Sequence, residues 1–168
     1  MNALRHFVSI VLLPGTVAGL IPWWIARRGH IALTGPKTLP EFVSVIAGGV
    51  LLAVGLTLFL SSVSWFAREG RGTLAPWDPP RRLVVRGPYR YVRNPMIAGV
   101  IFTLFGEAAI LRSGLHAGWA LAFLVINVIY IPLLEEPMLE ARFGGVYEHY
   151  CARVPRFLPR LRPWSGEG

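Results

Sequence analysis

Residues 42–66 form an apolar run of 25 residues that contains no charged side chain. A transmembrane helix needs about 20 consecutive apolar residues to cross the hydrocarbon core of a bilayer. The run meets that length, and it leaves no charge to be buried in lipid. We therefore predict a membrane-spanning helix here, which limits the folds open to the rest of the chain.

Three further apolar stretches, residues 7–25, 96–111 and 117–134, accompany this run. Only 15% of the residues are charged, whereas soluble domains carry about 25%. The first stretch lacks a small-residue cleavage site after it, which favours an uncleaved anchor over a signal peptide. The short segment 112–116 predicts an antiparallel hairpin of the last two stretches. The sequence thus predicts an all-α, polytopic membrane helix bundle with about four transmembrane helices plus a C-terminal interfacial helix.

The basic residues predict the orientation of this bundle. The net charge is +8, and Lys37 is the only lysine. Four spans place both termini and the loop 67–95 on one side, which holds Arg5, Arg68, Arg71, Arg81, Arg82, Arg86, Arg90, Arg93, Arg142, Arg153, Arg156, Arg160 and Arg162. The other side holds Arg27, Arg28, Lys37 and Arg112. The positive-inside rule then predicts an integral membrane protein with both termini cytoplasmic. Arginines placed between apolar segments favour anionic lipid over nucleic acid as a partner.

The chain is predicted to be a single membrane domain of four parts. Residues 1–66 supply two N-terminal spans, 67–95 an Arg-rich cytoplasmic loop, 96–134 the helical hairpin and 135–168 a polar tail. Within the tail, apolar and aromatic side chains recur at helical spacing among charged ones. This pattern predicts an amphipathic helix that lies at the membrane surface or caps the bundle. Gly144 and Gly145 are expected to break it near its start.

Three carboxylates in or beside the apolar stretches are candidates for function. Glu135 and Glu136 lie where the fourth stretch leaves the membrane, and they either end the helix in water or recognise a diol or an ammonium group. Glu107 lies mid-way along the third stretch, where a charged residue is a functional-site hypothesis by default. The alternative for Glu107 is a neutral structural carboxyl that is hydrogen-bonded across the hairpin, for instance to Asn127.

The segment GPYRYVRNPMIAG, residues 87–99, leads from a polar loop directly into the third stretch. Gly87 and Pro88 predict a turn, and Asn94 before Pro95 predicts the N-cap of a helix. The remaining polar and aromatic residues converge on the same helix start, where backbone N–H groups bind anions well. The four histidines are scattered, so surface or interfacial roles are expected and no metal site is predicted. A single cysteine, Cys151, permits neither an intramolecular disulfide nor a thiolate cluster.

Two separated motifs resemble those of the integral-membrane methyltransferases that include isoprenylcysteine carboxyl methyltransferases and phospholipid N-methyltransferases. The first family motif is roughly G-x-Y-x-x-x-R-[HN]-P-x-Y-x-G, and it is matched by Gly87, Tyr89, Arg93, Asn94, Pro95 and Gly99. After a hydrophobic hairpin, the family has E-E and then F-G-x-x-Y-x-x-Y-x-x-x-V-P. This part is matched by Glu135, Glu136, Phe143, Gly144, Tyr147, Tyr150, Val154 and Pro155. The resemblance covers roughly the C-terminal half of the chain.

The resemblance implies that S-adenosylmethionine binds at the cytoplasmic ends of the last helices, under the tail. It implies a cofactor site formed by Tyr89, Arg93, Asn94, Pro95, Gly99, Glu135, Glu136 and Tyr147. In that site Tyr89 would line the adenine, the helix start at Asn94 would hold the methionine carboxylate, and one of the two glutamates would hold the ribose or the amino group. Ile97 departs from the family pattern, because the family has a tyrosine there.

The implied function is methyl transfer to a membrane-embedded or lipid-like acceptor at the cytoplasmic interface. An amine headgroup needs a base, for which Glu107 or one of the pair Glu135 and Glu136 is a candidate. A prenylcysteine-type carboxylate needs a positive guide, for which Arg153, Arg156 or Arg93 would serve. Lipid phosphate binding is the alternative for Arg153 and Arg156. A non-enzymatic membrane scaffold or accessory protein that retains the fold is the alternative for the whole chain.

Overall fold

A computed structural model describes residues 14–70 and 82–165. Residues 7–13 of the first predicted span and residues 71–81 of the predicted loop lie outside the described residues. The regular elements of the described residues are helical, and we number the α-helices in chain order. They are α1 (Ile21–Arg28), α2 (Leu39–Glu69), α3 (Pro95–Leu111), α4 (Gly114–Tyr130), α5 (Glu136–Phe143) and α6 (Gly145–Arg153). A π-helical turn, Thr16–Leu20, precedes α1, and a 3-10 turn, Gly87–Arg90, precedes α3.

Helices α2 and α3 pack closely because glycines face each other at two levels. A Cβ atom on Gly55 would lie 2.7 Å from the carbonyl oxygen of Gly99, and one on Gly48 would lie 2.8 Å from that of Gly106. In each helix the two glycines are seven residues apart and therefore share one face. Small residues allow helix backbones to approach each other in a membrane, where apolar side chains gain little from leaving lipid.

Helix α4 does not end where the sequence predicted. It continues through a π-helical turn, Ile131–Glu135, into α5, so one 30-residue helix runs over Gly114–Phe143. Pro132 explains the turn, because proline has no N–H to donate and its ring clashes with the carbonyl group four residues earlier in a regular α-helix. The alternative in which Glu135 and Glu136 end the fourth helix in water is therefore wrong.

The turn between α3 and α4 lies at the end of the bundle opposite α6. Arg112 adopts a left-handed conformation (φ 50°) after α3 and donates hydrogen bonds to the carbonyl and hydroxyl oxygens of Thr34 at 2.9 and 2.7 Å. His116 is buried, with its ring 2.9 Å from the Ser113 hydroxyl and 3.1 Å from the carbonyl oxygen of Pro22. The expectation of a surface role is wrong for this histidine, which joins α1 to α4.

The C-terminal tail folds back over the other end of the bundle. Gly144 has a positive φ of 55° and separates α5 from α6, as the glycine pair predicted. Tyr147, Tyr150 and Val154 form one buried face, which packs on Leu139, Phe143 and residues 83 and 85. Backbone hydrogen bonds from Arg93, Arg160 and Trp164 to the carbonyl groups of Pro155, Tyr91 and Arg90 tie the tail to the segment before α3. The tail therefore caps the bundle.

The apolar helices present exposed apolar faces. Two helices of the described residues are long and apolar enough to cross a membrane, by length and composition: Leu39–Glu69 and Gly114–Phe143. Ile46 and Leu60 on α2 and Ile129 on α4 are more than half exposed, as expected of side chains that face lipid. Helix α3 is apolar but has only 17 residues. The described part of the chain is thus an all-α membrane helix bundle, and the count of four spans stays a prediction.

Candidate functional site

A cavity of about 530 Å³ lies at the end of the bundle that α6 covers. Its volume falls in the usual range of small-molecule sites. The polar residues that line it are Arg82, Tyr89, Arg93, Asn94, Asn127, Tyr130, Glu135, Arg142, Tyr147 and Tyr150. The apolar ones include Val17, Phe59, Phe66, Ile97, Val100, Phe123 and Met138. Val17, Phe59 and Phe123 also pack on Val100 and Leu104, in the core between the helices. The cavity therefore extends from a polar end beneath the tail to an apolar end within the bundle.

The first motif forms the polar end through a glycine-dependent turn. Gly87 has a positive φ of 55°, and a Cβ atom on it would lie 2.3 Å from the indole ring of Trp65. Only glycine fits both constraints, since a side chain here would be strained and would collide with that ring. The turn brings Tyr89 to the cavity, and the carbonyl oxygen of Tyr89 accepts a hydrogen bond from the Tyr150 hydroxyl at 2.7 Å.

Three tyrosine side chains at this end remain neutral. Burial raises the pKa of Tyr89, Tyr147 and Tyr150 above the ordinary tyrosine value, because the phenolate would lose its hydration. These side chains therefore offer aromatic faces and protonated hydroxyl groups rather than charge. Aromatic faces attract cations and stack on planar rings.

The start of α3 leaves backbone N–H groups at the cavity. Asn94 occupies the N-cap position as predicted, but its side chain makes no capping hydrogen bond. Its amide nitrogen lies 3.5 Å from the Arg156 carbonyl oxygen. Pro95 has no N–H, so the first N–H groups of the helix belong to Met96 and Ile97, which both line the cavity. An uncapped helix start of this kind favours an anion.

Glu136 is the centre of a partly buried ion-pair cluster. Arg156 donates to both of its carboxylate oxygens, from Nε at 2.8 Å and from Nη2 at 2.5 Å. Nη1 of Arg93 lies 2.9 Å from Oε1 of Glu136 and donates to the sulfur of Cys151 at 2.8 Å. The hydrogen bonds to Glu136 raise the pKa of Arg156. The cluster joins the helix Gly114–Phe143, the start of α3 and the tail.

Glu135 faces the cavity, whereas Glu136 is not among its lining residues. The lining residues on the long helix are Phe123, Asn127, Tyr130, Glu135, Met138, Leu139, Arg142 and Phe143. Most consecutive members of this set are three or four residues apart, and a few are adjacent in the chain. The exception is the five-residue step from Tyr130 to Glu135. That step coincides with the π-helical turn, Ile131–Glu135, which adds one residue to the helical turn. The turn therefore selects Glu135 for the cavity and directs Glu136 to the arginines.

Of the predicted cofactor residues, Tyr89, Arg93, Asn94, Pro95, Glu135 and Tyr147 line the cavity. Gly99 does not: it is buried against α2, where a Cβ atom would lie 2.8 Å from the Gly55 carbonyl oxygen. Its match to the family pattern is explained by helix packing. Glu136 is bonded to arginines instead of facing the cavity.

The predicted catalytic residues lie away from the cavity lining. Glu107 is twelve residues beyond Pro95 on α3, about 18 Å along the helix axis, and its Oε2 is buried without a hydrogen-bond partner among the described residues. Asn127 does not pair with it, because the Asn127 amide donates to the Phe123 carbonyl oxygen. Arg153 is exposed, and Arg156 is committed to Glu136. The geometry therefore supports none of the three as a group that touches a ligand in this cavity.

Sequence reasoning missed Asn127 and Arg142 as lining residues. The sequence indicates Asn127 only as a hydrogen-bond partner for Glu107, and Arg142 only as a charge on the tail. The signal that identifies both is the helical spacing from Phe123 to Arg142, provided that the extra residue after Pro132 is included. Among residues 14–70 and 82–165, no group of three or more His, Cys, Asp or Glu side chains is placed to hold a metal ion.

The fold and the cavity define a helical membrane protein with a cavity of ligand-binding size at one end of its bundle. The sequence pattern of the phospholipid methyltransferase family matches residues 43–145, more than half of the chain. The chain therefore belongs to this family, and the resemblance noted in the sequence is confirmed.

A curated relative and the solved structures were also compared. Methanethiol S-methyltransferase 2 of Bradyrhizobium diazoefficiens is 36% identical over 76 residues, which cover 44% of this chain and 27% of that protein. The match thus spans only about a quarter of the relative's length. No solved structure matches the chain significantly.

Proposed function

We propose that this chain transfers a methyl group from S-adenosylmethionine to a nucleophile on a lipid-like acceptor. The observation that carries the proposal is a continuous cavity, which joins a polar end beneath the tail to an apolar end within the bundle. A water-soluble donor suits the first end and an apolar acceptor suits the second. Membership of the phospholipid methyltransferase family supports the same activity.

The residues at the polar end fit the charges of S-adenosylmethionine. The carboxylate of Glu135 and the faces of Tyr89 and Tyr147 suit the ammonium and sulfonium groups. The N–H groups at the start of α3 suit the methionine carboxylate. Arg93 lines the cavity, and its Nε atom is buried without a hydrogen-bond partner among the described residues. These groups would hold the donor between α3, Glu135 and the tail.

Methyl transfer is a direct displacement, so this chain's contribution is position and desolvation. S-adenosylmethionine supplies a methyl group bonded to a positively charged sulfur. The acceptor's lone pair forms a bond to the methyl carbon, the bond from that carbon to sulfur breaks with its electron pair left on sulfur, and any displaced proton passes to water. Holding the reacting atoms in line contributes about 7–11 kcal/mol to lowering the barrier. The tail and the apolar end exclude bulk water from the reacting atoms.

The acceptor is proposed only as a chemical class. The family name favours a phospholipid amine headgroup. The name of the bacterial relative favours a thiol, and the resemblance to isoprenylcysteine carboxyl methyltransferases favours a carboxylate. We further propose that the cavity lies at the cytoplasmic interface with both termini cytoplasmic, because most of the described arginines lie at this end of the bundle.

Binding and transfer can be measured separately on the purified protein in nanodiscs. We expect isothermal titration calorimetry to detect S-adenosylmethionine and its demethylated product. Incubation with methyl-labelled donor and a total lipid extract should then place label in an extracted lipid or thioether. Absence of binding at millimolar donor would rule out the methyltransferase assignment and favour the scaffold alternative. Binding without any labelled product would restrict the assignment to a donor-binding protein.

A further inference from the structure

Asn127 is a polar residue at the apolar end of the cavity. It is 8% exposed and lines the cavity on α4, one turn from Phe123. Phe123 packs on the core residues Val100 and Leu104. A polar side chain inside an apolar helix bundle is a functional-site hypothesis by default, and Asn127 is not among the donor-binding groups named above.

The hydrogen bonding of Asn127 determines what it can offer a ligand. Its amide nitrogen donates to the Phe123 carbonyl oxygen at 2.8 Å, which orients the side chain and identifies the other atom as oxygen. None of the described residues donates a hydrogen bond to that oxygen. Amide oxygen accepts hydrogen bonds and cannot donate them. The group that Asn127 offers at this end of the cavity is therefore an acceptor.

The position of Asn127 relative to Glu135 suits a group that meets the donor. Both residues line the cavity on the same continuous helix, eight residues apart, or about 12 Å along the axis. Glu135 belongs to the proposed donor site, and Phe123 to the apolar end. Asn127 lies between them, where the polar head of an apolar acceptor would approach the donor.

We propose that Asn127 is the acceptor-binding residue of this cavity and that its amide oxygen selects a nucleophile that carries a hydrogen atom, an amine or a thiol. The proposal rests on the proposed methyltransferase function and adds the specificity of the acceptor site. A carboxylate offers only hydrogen-bond acceptors, so its oxygens would face the Asn127 oxygen without a proton between them. Three arginines were suggested by the sequence as guides for a carboxylate. Arg153 is exposed, Arg156 is bonded to Glu136, and Arg93 pairs with Glu136 and belongs to the proposed donor site.

The apolar surroundings favour the neutral form of either nucleophile. Burial disfavours an ammonium group relative to an amine, and the neutral amine has both the lone pair for attack and an N–H for Asn127. A thiol likewise has a lone pair and an S–H. After the new bond to carbon forms, the hydrogen leaves as a proton to water at the polar end.

The proposal is tested with three probes of equal chain length in nanodiscs: decylamine, decanethiol and decanoate. Their binding is measured by calorimetry in the presence of demethylated donor, and their methylation with labelled donor. We expect the wild-type protein to bind and methylate the amine, the thiol or both, at least about tenfold better than decanoate. The two hydrogen-bearing probes distinguish the two possible nucleophiles. Preferential methylation of decanoate would overturn the proposal, as would binding of donor without methylation of the amine or thiol.

Asn127→Leu tests the residue itself. We expect about tenfold weaker binding of the preferred probe and a correspondingly raised KM, with the dissociation constant of S-adenosylmethionine unchanged. Thr103→Val is the matched control, because the Thr103 hydroxyl also bonds the carbonyl group four residues earlier but does not line the cavity.

Unchanged probe binding in Asn127→Leu, or weakened donor binding with intact probe binding, would overturn the assignment. If the wild-type protein fails to bind donor, the methyltransferase function fails first. If Asn127→Leu does not fold, the ranking of the three probes on the wild-type protein decides.

Discussion

Glu135 and Glu136 are adjacent in the chain but serve different structures. Glu135 lines the cavity, whereas Glu136 accepts hydrogen bonds from Arg156 and pairs with Arg93. Successive residues of a helix point about 100° apart, so one carboxylate faces the ligand site while its neighbour faces the tail. The pair thus combines a carboxylate that lines the cavity with the ion pair that holds the tail over it.

Glu136→Gln is expected to destabilise the protein. The side chains of Glu136 and Arg93 are each only 12% exposed, so the variant leaves Arg93 buried with its charge uncompensated. Removing one partner of a buried ion pair costs about 3 kcal/mol. The measurement is the free energy of unfolding by titration with a denaturing detergent. Glu140→Gln on the same helix is exposed and should be neutral. Equal stability of the two variants would contradict a structural role for Glu136.

Glu135→Gln is expected to weaken donor binding while leaving stability nearly unchanged. The variant keeps the size of the side chain but removes the charge that faces the cavity. A hydrogen bond to a charged group contributes about 1.5–3 kcal/mol, which corresponds to roughly a 10- to 150-fold rise in the dissociation constant of S-adenosylmethionine. Calorimetry on the variant and on Glu140→Gln gives the comparison. Unaltered affinity in Glu135→Gln would remove this carboxylate from the donor site.

Gly99→Ala is expected to separate α2 from α3. The added Cβ atom would lie 2.8 Å from the backbone of Gly55 and Phe59, which cannot move aside as a flexible side chain could. Overpacking of this kind costs about 1–3 kcal/mol. Gly49→Ala on α2 is the matched control, because no atom lies within 4 Å of its Cβ position. Unfolding titrations should show destabilisation in the first variant alone, and a stable Gly99→Ala would return this residue to the candidate donor site.

Much of the site could be predicted from the sequence, because its groups occur in two short motifs. Tyr89, Arg93 and Asn94 had to lie together, since they follow one turn and begin one helix. The role of Gly99 could not be separated from theirs, because a glycine in a motif serves ligand binding and helix packing equally well. The seven-residue spacing of Gly99 and Gly106, matched on α2 by Gly48 and Gly55, is the signal that separates the two roles.

The division between Glu135 and Glu136 and the remoteness of Glu107 required the structure. Helical phase after Pro132 depends on whether the chain forms an α or a π turn, and a pattern of apolar residues does not distinguish them. Glu107 is a functional-site candidate in the sequence because it is a charged residue in an apolar stretch. Its position along α3 nevertheless places it well beyond the cavity. The helix continues past residue 134, where the apolar stretch ends, because the arginines neutralise Glu136.

The π-helical turn is expected to act as a register device for the cavity. In a regular α-helix, Asn127 and Glu135 would point about 80° apart, since eight residues separate them. With the extra residue of the π turn, the two side chains point within about 20° of each other. Removing one residue from the turn should therefore preserve their alignment, provided that Pro132 is also replaced so that a regular helix can form.

We expect the variant that combines Pro132→Ala with deletion of Leu134 to bind S-adenosylmethionine within about threefold of the wild-type affinity, because the α-helix that results keeps both side chains on the cavity face. Insertion of one alanine after Leu134 is the opposite change. It rotates α5 by about 100°. The rotation should turn Glu135 away from the cavity, and it should also turn Glu136 away from Arg93. Calorimetry and unfolding titrations on both variants check this. Loss of binding in the deletion variant with retained binding in the insertion variant would show that the π turn itself, rather than the phase it sets, is needed.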